Sequence, residues 1–276
     1  MKKITLIGII VLTLVLGFAV SVKKSTDDCV ESYCIRSNAT SEMGYEANTP
    51  AEYSFNIVDS NGEVMKDFAI THTKPMHVIV VRKDLKYFQH LHPDFDAETG
   101  LFTLEDLNFP EEGVYRIFAD FALEGLRVRS LTISEDLIVG STFVSETLGS
   151  EERSKIFDGY EVTLSTDETL ESGGESTLSF ELKQNGEAVT DLQEYLGAMG
   201  HSVILREESL DFIHVHPMTD LSDVQTGTVD FMVSFPEPGQ YKIFTQFQHE
   251  GKVFTTDFVV IVTQGESAGE TMDHME

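Results

Sequence analysis

Short apolar runs alternate with polar residues along most of the chain, and turns rich in Gly, Pro, Asn or Asp separate these runs. Runs of this length with a period of two predict β-strands. A helical period of 3.6 residues is hard to find over any long window, so a continuous βαβ architecture is excluded. The pattern therefore predicts an all-β fold of sandwiches built from short strands.

The strand pattern occurs twice. Phe109–Phe118 matches Phe235–Phe244 at seven of ten positions, and an Asn-Gly turn follows an early strand in each copy, at Asn61-Gly62 and Asn185-Gly186. The Pro and Gly residues of the Phe109–Phe118 and Phe235–Phe244 segments form a turn that begins a strand. The Asn-Gly pairs are typical of hairpin turns. Each copy spans about 100 residues with six or seven strands. We predict one sandwich at residues 25–139, a linker at 140–158, a second sandwich at 159–264 and a disordered acidic tail at 265–276.

Both copies contain the same arrangement of histidines. Met76–Pro93 recurs as Gly200–Pro217, and each segment places one His thirteen positions before a His-x-His-Pro. Each segment reads as two β-branched runs around a short polar loop, which predicts a β-hairpin. The turns are expected at Asp84-Leu85 and Glu208-Ser209.

A symmetric hairpin sets the first His of each segment across from the last one, with the middle His on the same face. Directly opposed residues have Cβ atoms about 5 Å apart, so three imidazoles can converge on one ion. We expect two independent sites, one in each repeat. The predicted metal ligands are His77, His90 and His92 in the first repeat and His201, His214 and His216 in the second.

Three neutral imidazoles leave one coordination position of an ion open, which suits a buffer, carrier or sensor better than a closed structural site. The affinity order of divalent ions favours Cu over Zn. The alternative is a structural role, in which the histidines close one end of the sandwich core. Tandem sandwiches then serve as an adhesion or scaffold module.

A resemblance supports metal handling. Leu196-Gly197-Ala198-Met199-Gly200-His201, the later His214-Val215-His216-Pro217 and the Phe-Pro-x-x-Gly-x-Tyr motif resemble bacterial secreted or membrane-anchored proteins of the YtkA and copper-resistance type. The resemblance implies immunoglobulin-like, Greek-key domains and a metal ion as ligand. It also implies a membrane metal transporter or another exported protein as partner. The first repeat has His72-Thr73-Lys74-Pro75-Met76 instead, which offers His72 as an extra ligand.

The N-terminus predicts export. Met1-Lys2-Lys3 precedes an apolar run from Ile4 to Val22, and Ala19-Val20-Ser21 supplies small residues for signal peptidase. The run also approaches the roughly 20 apolar residues that span a bilayer. Residues 1–24 are therefore either a cleaved signal peptide or an uncleaved membrane anchor, and the protein is expected outside the cytoplasm.

The net charge, the two cysteines and the C-terminal tail bear on the possible partners and metal ligands. The formal net charge of -28 repels nucleic acid and excludes it as a partner. The two cysteines, Cys29 and Cys34, predict a local disulfide in an oxidising compartment, with a Cys-x4-Cys metal site as the alternative. The tail ends with Met272, His274 and Met275, a combination that suits copper.

No catalytic pattern is visible in the sequence. A cupin oxygenase needs a Glu soon after His-x-His and a His after the Pro-x-x-Gly turn, whereas Tyr115 and Tyr241 follow these turns. A Ser/His/Asp signature, a phosphate loop and a Cys nucleophile are also missing from the sequence. We therefore expect a binding protein rather than an enzyme.

Overall fold

The computed structural model describes residues 29–30, 32–37, 44–125, 130–141, 144–166, 169–215, 217–218 and 226–265. The predicted export segment, the predicted tail with Met272, His274 and Met275, and the predicted ligand His216 lie outside these residues. Within the described part, no helix has the length and apolar character needed to cross a bilayer. The described elements are strands, which confirms the predicted all-β class.

The first repeat forms an immunoglobulin-like sandwich of two sheets. Its outer sheet has the order β1-β2-β3-β8-β7, and its inner sheet has the order β10-β9-β5-β6, with β4 paired to β9. The strands are β1 Cys29–Val30, β2 Tyr33–Ser37, β3 Ala51–Val58, β4 Phe68–Ala69, β5 His77–Arg82, β6 Phe88–Leu91, β7 Asp94–Asp96, β8 Leu101–Leu107, β9 Gly113–Leu123 and β10 Leu131–Val139. Buried aromatic and aliphatic side chains fill the space between the two sheets, among them Tyr53, Phe55, Phe102, Tyr115 and Phe121.

The second repeat forms the equivalent sandwich. Its outer sheet has the order β11-β12-β14-β15 with β18 paired to β14, and its inner sheet has the order β13-β20-β19-β16-β17. The strands are β11 Ser154–Phe157, β12 Tyr160–Thr166, β13 Leu170–Glu171, β14 Glu175–Gln184, β15 Glu187–Ala188, β16 His201–Arg206, β17 Phe212–Val215, β18 Thr228–Ser234, β19 Gly239–His249 and β20 Lys252–Thr263. Strand β11 lies inside the predicted linker at 140–158, because residues 154–157 pair with β12.

The predicted hairpin registers agree with the structure. Val78 pairs with Leu91 in β5 and β6, which continues to His77 opposite His92. Ser202 pairs with Val215 in β16 and β17, the register predicted for the second hairpin. The Asn185-Gly186 turn has φ angles of 54° and 85°, as a two-residue type I′ turn requires.

The two inner sheets pack against each other, which the sequence analysis did not anticipate. Alternate residues of β5 face opposite sides: Val78 and Val80 belong to the first sandwich core, whereas Ile79 and Val81 belong to a cluster shared by both repeats. Burial on both faces explains why these strands read as continuous apolar runs rather than as a polar alternation. The shared cluster contains Ile79, Val81, Leu85, Phe118, Leu148, Val203, Leu205, Leu210, Phe244 and Val259, with Phe88 and Phe212 packed against it.

The interface is nearly symmetric. Phe88 stacks on Phe244 with ring centroids 4.4 Å apart. The equivalent pair, Phe118 and Phe212, has centroids 5.1 Å apart. Each repeat thus presents the same patch to the other, as the subunits of a two-fold dimer do.

The linker is attached to the hairpins of both repeats. The backbone N–H of Glu146 donates to Asp84 in the first hairpin turn (3.3 Å), and that of Leu148 donates to Glu207 in the second (3.0 Å). Leu148 is itself buried in the shared apolar cluster. These contacts hold the linker along the interface.

Candidate metal centre between the two sandwiches

Imidazoles from both repeats meet at one end of the interface. Neighbouring rings in this group have centroids between 4.7 and 5.8 Å apart. We call this group the imidazole cluster; its members are His72, His77, His90, His92, His201 and His214. Five of the six predicted ligands belong to it, and His72 joins them from the first repeat.

The cluster draws its members from both repeats, whereas the sequence predicted a separate site in each. Ring nitrogens of His77, His90 and His201 lie within 4.8 Å of one another, so the tightest triad takes two ligands from the first repeat and one from the second. The physical reason is the packing of the inner sheets, which turns the histidine faces of both hairpins toward each other. The second predicted triad includes His216, which lies outside the described residues, so the prediction of a separate site in that repeat stays a prediction.

The tautomer of His77 follows from its hydrogen bonds. Its Nε2 lies 3.0 Å from the carbonyl oxygen of Thr71. A carbonyl only accepts, so Nε2 carries the hydrogen and, in the neutral ring, Nδ1 carries a lone pair. Nδ1 lies 3.1 Å from His90 Nε2 and 3.2 Å from His92 Nε2.

His90 has the complementary arrangement. Its Nδ1 lies 2.8 Å from Oε1 of Gln246, which belongs to the second repeat. The Gln246 amide nitrogen donates to Thr255 Oγ1 at 3.1 Å, and in this orientation its oxygen accepts from His90. His90 Nδ1 therefore donates, and its Nε2 carries a lone pair that faces the lone pair of His77 Nδ1.

A buried carboxylate orients His214. Asp120 Oδ2, in the first repeat, lies 2.9 Å from His214 Nδ1 in the second. Ser130 and Thr132 also donate to Asp120. Burial raises the pKa of Asp120, but the hydrogen bonds from His214, Ser130 and Thr132 outweigh burial and lower it. Asp120 is therefore a carboxylate at neutral pH.

Asp120 and Gln246 hold equivalent places in the two repeats. Asp120 pairs with His77 in the β5–β9 ladder, and Gln246 pairs with His201 in the β16–β19 ladder. Each accepts a hydrogen bond from the middle histidine of the other repeat. Neither residue was predicted from the sequence, although their shared position two residues after the repeated Phe118 and Phe244 was a usable signal.

His72 reaches the cluster from a tight turn. Thr71 and Lys74 exchange two backbone hydrogen bonds around His72-Thr73, and both central residues have positive φ, at 47° and 69°. Non-glycine residues rarely adopt this backbone conformation, and it is concentrated at functional sites. The equivalent turn of the second repeat uses Leu196-Gly197, so the sixth imidazole has no counterpart there.

Burial lowers the pKa of four imidazoles in the cluster and favours their neutral form. Burial, followed by repulsion from His92, lowers the pKa of His90 to about 3. Burial, followed by repulsion from His77, lowers the pKa of His92 to about 4. Burial also lowers the pKa of His77 and His201, whose exposed fractions are only 2% and 5%. Neutral imidazoles are the form that binds metal ions.

One further histidine, His249, and the two cysteines lie away from the cluster and have other partners. His249 Nδ1 lies 2.9 Å from the Tyr160 hydroxyl and its Nε2 lies 2.9 Å from Asp191, away from the cluster. Cys34 is disulfide-bonded, and Cys29 is its partner in the β1–β2 register. The disulfide expectation is therefore confirmed, and the Cys-x4-Cys metal site is not.

Comparisons with known proteins identify a family. Residues 31–134 and 154–264 match the model of a family described as "Domain of unknown function (DUF8832)". No curated protein sequence matches the chain.

Several solved structures are similar to the chain. Yersinia pseudotuberculosis InvD is 15% identical over 85% of this chain and 58% of its own, with a TM-score of 0.27. A segment of two fibronectin type-III domains from chicken tenascin is 13% identical over 77% of this chain and 93% of its own, with a TM-score of 0.24. The FN1–FN3 domains of chicken CNTN1 are 11% identical over 80% of this chain and 63% of their own, with a TM-score of 0.21. The chain thus spans less than two thirds of InvD and CNTN1, and TM-scores this low carry no functional argument.

Proposed function

The chain belongs to the DUF8832 family, and we propose that it binds one late first-row transition-metal ion between its two sandwiches. The observation that carries this proposal is the pair His77 Nδ1 and His90 Nε2. These atoms are 3.1 Å apart, and the partners of the opposite ring nitrogens leave a lone pair on each. Two lone pairs at this distance repel unless a cation lies beside them.

The spacing suits an ion. Two imidazole nitrogens bound to one tetrahedral ion at about 2.0–2.1 Å lie about 3.3 Å apart. His201 supplies a third nitrogen within 4.8 Å of both. Small side-chain rotations bring such a triad to bonding distance, and His92 and His214 stand beside it as further nitrogens.

The surroundings also suit an ion. Histidine ligands commonly donate their second N–H to a carbonyl or carboxylate, which fixes the ring and raises its basicity. Here the Thr71 carbonyl holds His77, Gln246 holds His90 and Asp120 holds His214. The ionised Asp120 and the net charge of -28 also attract a cation to the cluster.

The ligand set selects copper or zinc. Imidazole nitrogens suit both ions, and the affinity order favours copper. An all-imidazole site with ligands from two sandwiches supports a role as a metal buffer, carrier or sensor outside the cytoplasm. The role is one of binding rather than catalysis.

A scaffold function is the second candidate, because tandem immunoglobulin-like sandwiches serve as interaction modules. The extensive apolar contact between the inner sheets favours this view. In that case the histidines contribute packing and hydrogen bonds only.

Two conservative variants separate these functions. His90→Asn keeps a donor for Gln246 but removes Nε2, and His77→Gln keeps a donor for Thr71 but removes Nδ1. We expect Zn(II) to raise the melting temperature of the wild type and of the control His249→Gln, because binding to the folded state stabilises it. We expect no such increase in His90→Asn and His77→Gln. Equal responses of all four proteins to Zn(II) and to chelator would favour the scaffold.

A further inference from the structure

A groove on the second sandwich leads from the surface to His214. It has a volume of about 380 Å³, near the lower end of the range for small-molecule sites, and it suits a small ligand or an ion. Its lining consists of Glu175, His214, Val215, Pro217, Met218, Met232, Val233 and Ser234. His214 also contacts His201 and His72 in the imidazole cluster, with ring centroids 4.8 and 5.2 Å away. This side chain therefore separates the groove from the cluster.

Two methionines line the groove from neighbouring backbone segments. Pro217 bridges to Phe231, and the backbone N–H of Met218 donates to the carbonyl of Asp230 at 2.7 Å. Phe231 and Val233 face the core, so Asp230 and Met232 face outward. Met218 is thus a diagonal neighbour of Met232 on the outer surface, at a separation that long side chains can bridge.

Both methionines of the groove are about half exposed. Met218 is 50% exposed and Met232 is 46% exposed, whereas Met76 and Met199 are buried in the two cores. A flexible thioether at the surface gains little from packing, but it can turn its sulfur toward a ligand. Both thioethers lie in the same groove as an imidazole that belongs to the cluster.

We infer that this groove is a second metal site that takes Cu(I), with the sulfurs of Met218 and Met232 and the imidazole of His214 as its ligands. Soft thioether ligands select Cu(I), whereas Zn(II) prefers the nitrogen ligands of the cluster. The inference rests on the proposed metal site, because the groove then brings the ion to the imidazole cluster. Glu175 at the groove and the acidic surface attract a cation to it.

The test uses the full chain under anaerobic conditions with Cu(I) as the probe. X-ray absorption at the copper edge reports whether sulfur scatters near the ion as one and then two equivalents are added. The variant Met218→Leu/Met232→Leu removes both sulfurs and keeps apolar side chains of similar size. Met65→Leu, in the first sandwich, is the matched control. Zn(II) affinity is measured on the same four samples: wild type, the double variant, the control and His90→Asn.

We expect copper–sulfur scattering in the wild type and in Met65→Leu, and its loss in the double variant together with a drop in Cu(I) affinity of about ten-fold or more. Zn(II) affinity stays unchanged in the double variant, because the cluster is intact. The single variants Met218→Leu and Met232→Leu each weaken the sulfur signal and serve if the double variant fails to fold.

Three results would overturn the inference. Nitrogen scattering alone in the wild type would show that the methionine sulfurs are not ligands of the ion. Sulfur scattering that persists in the double variant would assign it to other methionines, such as Met272 and Met275 of the tail. In both cases Zn(II) binding that depends on His90 would leave the proposed function standing. A wild type that binds neither Zn(II) nor Cu(I) would overturn both.

Discussion

His77 and His201 hold equivalent positions in the two repeats, and their imidazoles stack across the interface with centroids 5.6 Å apart and 17° between the ring planes. This contact joins equivalent residues of the two repeats at their interface. An ion held beside it takes ligands from both sandwiches, so binding the ion and docking the sandwiches become linked.

Asp120→Asn tests the carboxylate that orients His214. The change keeps the size of the side chain but removes the charge, so His214 loses its charged partner. We expect metal affinity at the cluster to fall about 10–100-fold, the usual effect of removing a partner that holds a metal ligand. Titration with Zn(II) measures the effect.

Asp94→Asn is the matched control, because Asp94 is an exposed residue of β7. Its affinity should equal that of the wild type. An Asp120→Asn protein that binds Zn(II) as tightly as Asp94→Asn would mean that His214 is not part of the site.

Acidification should destabilise the metal-free protein. Burial lowers the pKa of His90 to about 3, below its ordinary value of 6.5, so between these values the unfolded chain holds more protons than the folded one. Stability is then fully present above about pH 6.5 and is lost as the pH falls toward 3. Each such imidazole contributes a slope of at most about 1.4 kcal/mol per pH unit.

Denaturant unfolding of the chelator-treated protein between pH 7.5 and 5 measures this slope. His90→Asn should show a shallower decrease than the wild type, because one of the neutral imidazoles is missing. Parallel decreases in the two proteins would show that His90 titrates with its ordinary pKa in the fold.

Phe244→Ala tests the link between docking and binding. Phe244 is buried at the interface and stacks on Phe88. Its truncation should lower the free energy of unfolding by about 3 kcal/mol, as for other buried Phe→Ala changes. It should also weaken metal binding, because His201 is no longer held beside His77 and His90.

Denaturant unfolding of Phe244→Ala measures the loss of stability, and Zn(II) titration measures metal binding. Small-angle scattering shows whether the two sandwiches separate. Ile261→Ala is the control, since Ile261 is an exposed residue of β20. A more extended Phe244→Ala protein with wild-type Zn(II) affinity would mean that one sandwich alone holds the ion.

The sequence was sufficient for the fold class, the duplication and the hairpin registers. Each of these depends on local patterns: strand alternation, Asn-Gly turns and a symmetric loop, which place His77 opposite His92. The N-terminal boundary of the second sandwich was less accurate, because Ser154–Phe157 is a short, partly exposed edge strand next to a polar stretch.

The meeting of histidines from both repeats in one cluster could not be predicted from the same patterns. Each triad was assigned to its own repeat, because period-two alternation shows which residues share a face but not what that face packs against. One signal was present: β5 and β16 are apolar on both faces, which is typical of strands buried on both sides. Asp120 and Gln246 occupy matched positions in the repeat, but their contacts with the histidines become visible only once β9 and β19 are placed beside β5 and β16.

The number of ions bound per chain tests most directly whether the two repeats share one metal site. Zn(II) titration of the wild type, His90→Asn and His201→Ala counts the tight sites and shows which repeat supplies each. A shared site predicts one tightly bound ion in the wild type and at least about 100-fold weaker binding in both variants, although the two residues belong to different repeats. Two equal ions in the wild type, each lost with only one of the variants, would contradict it.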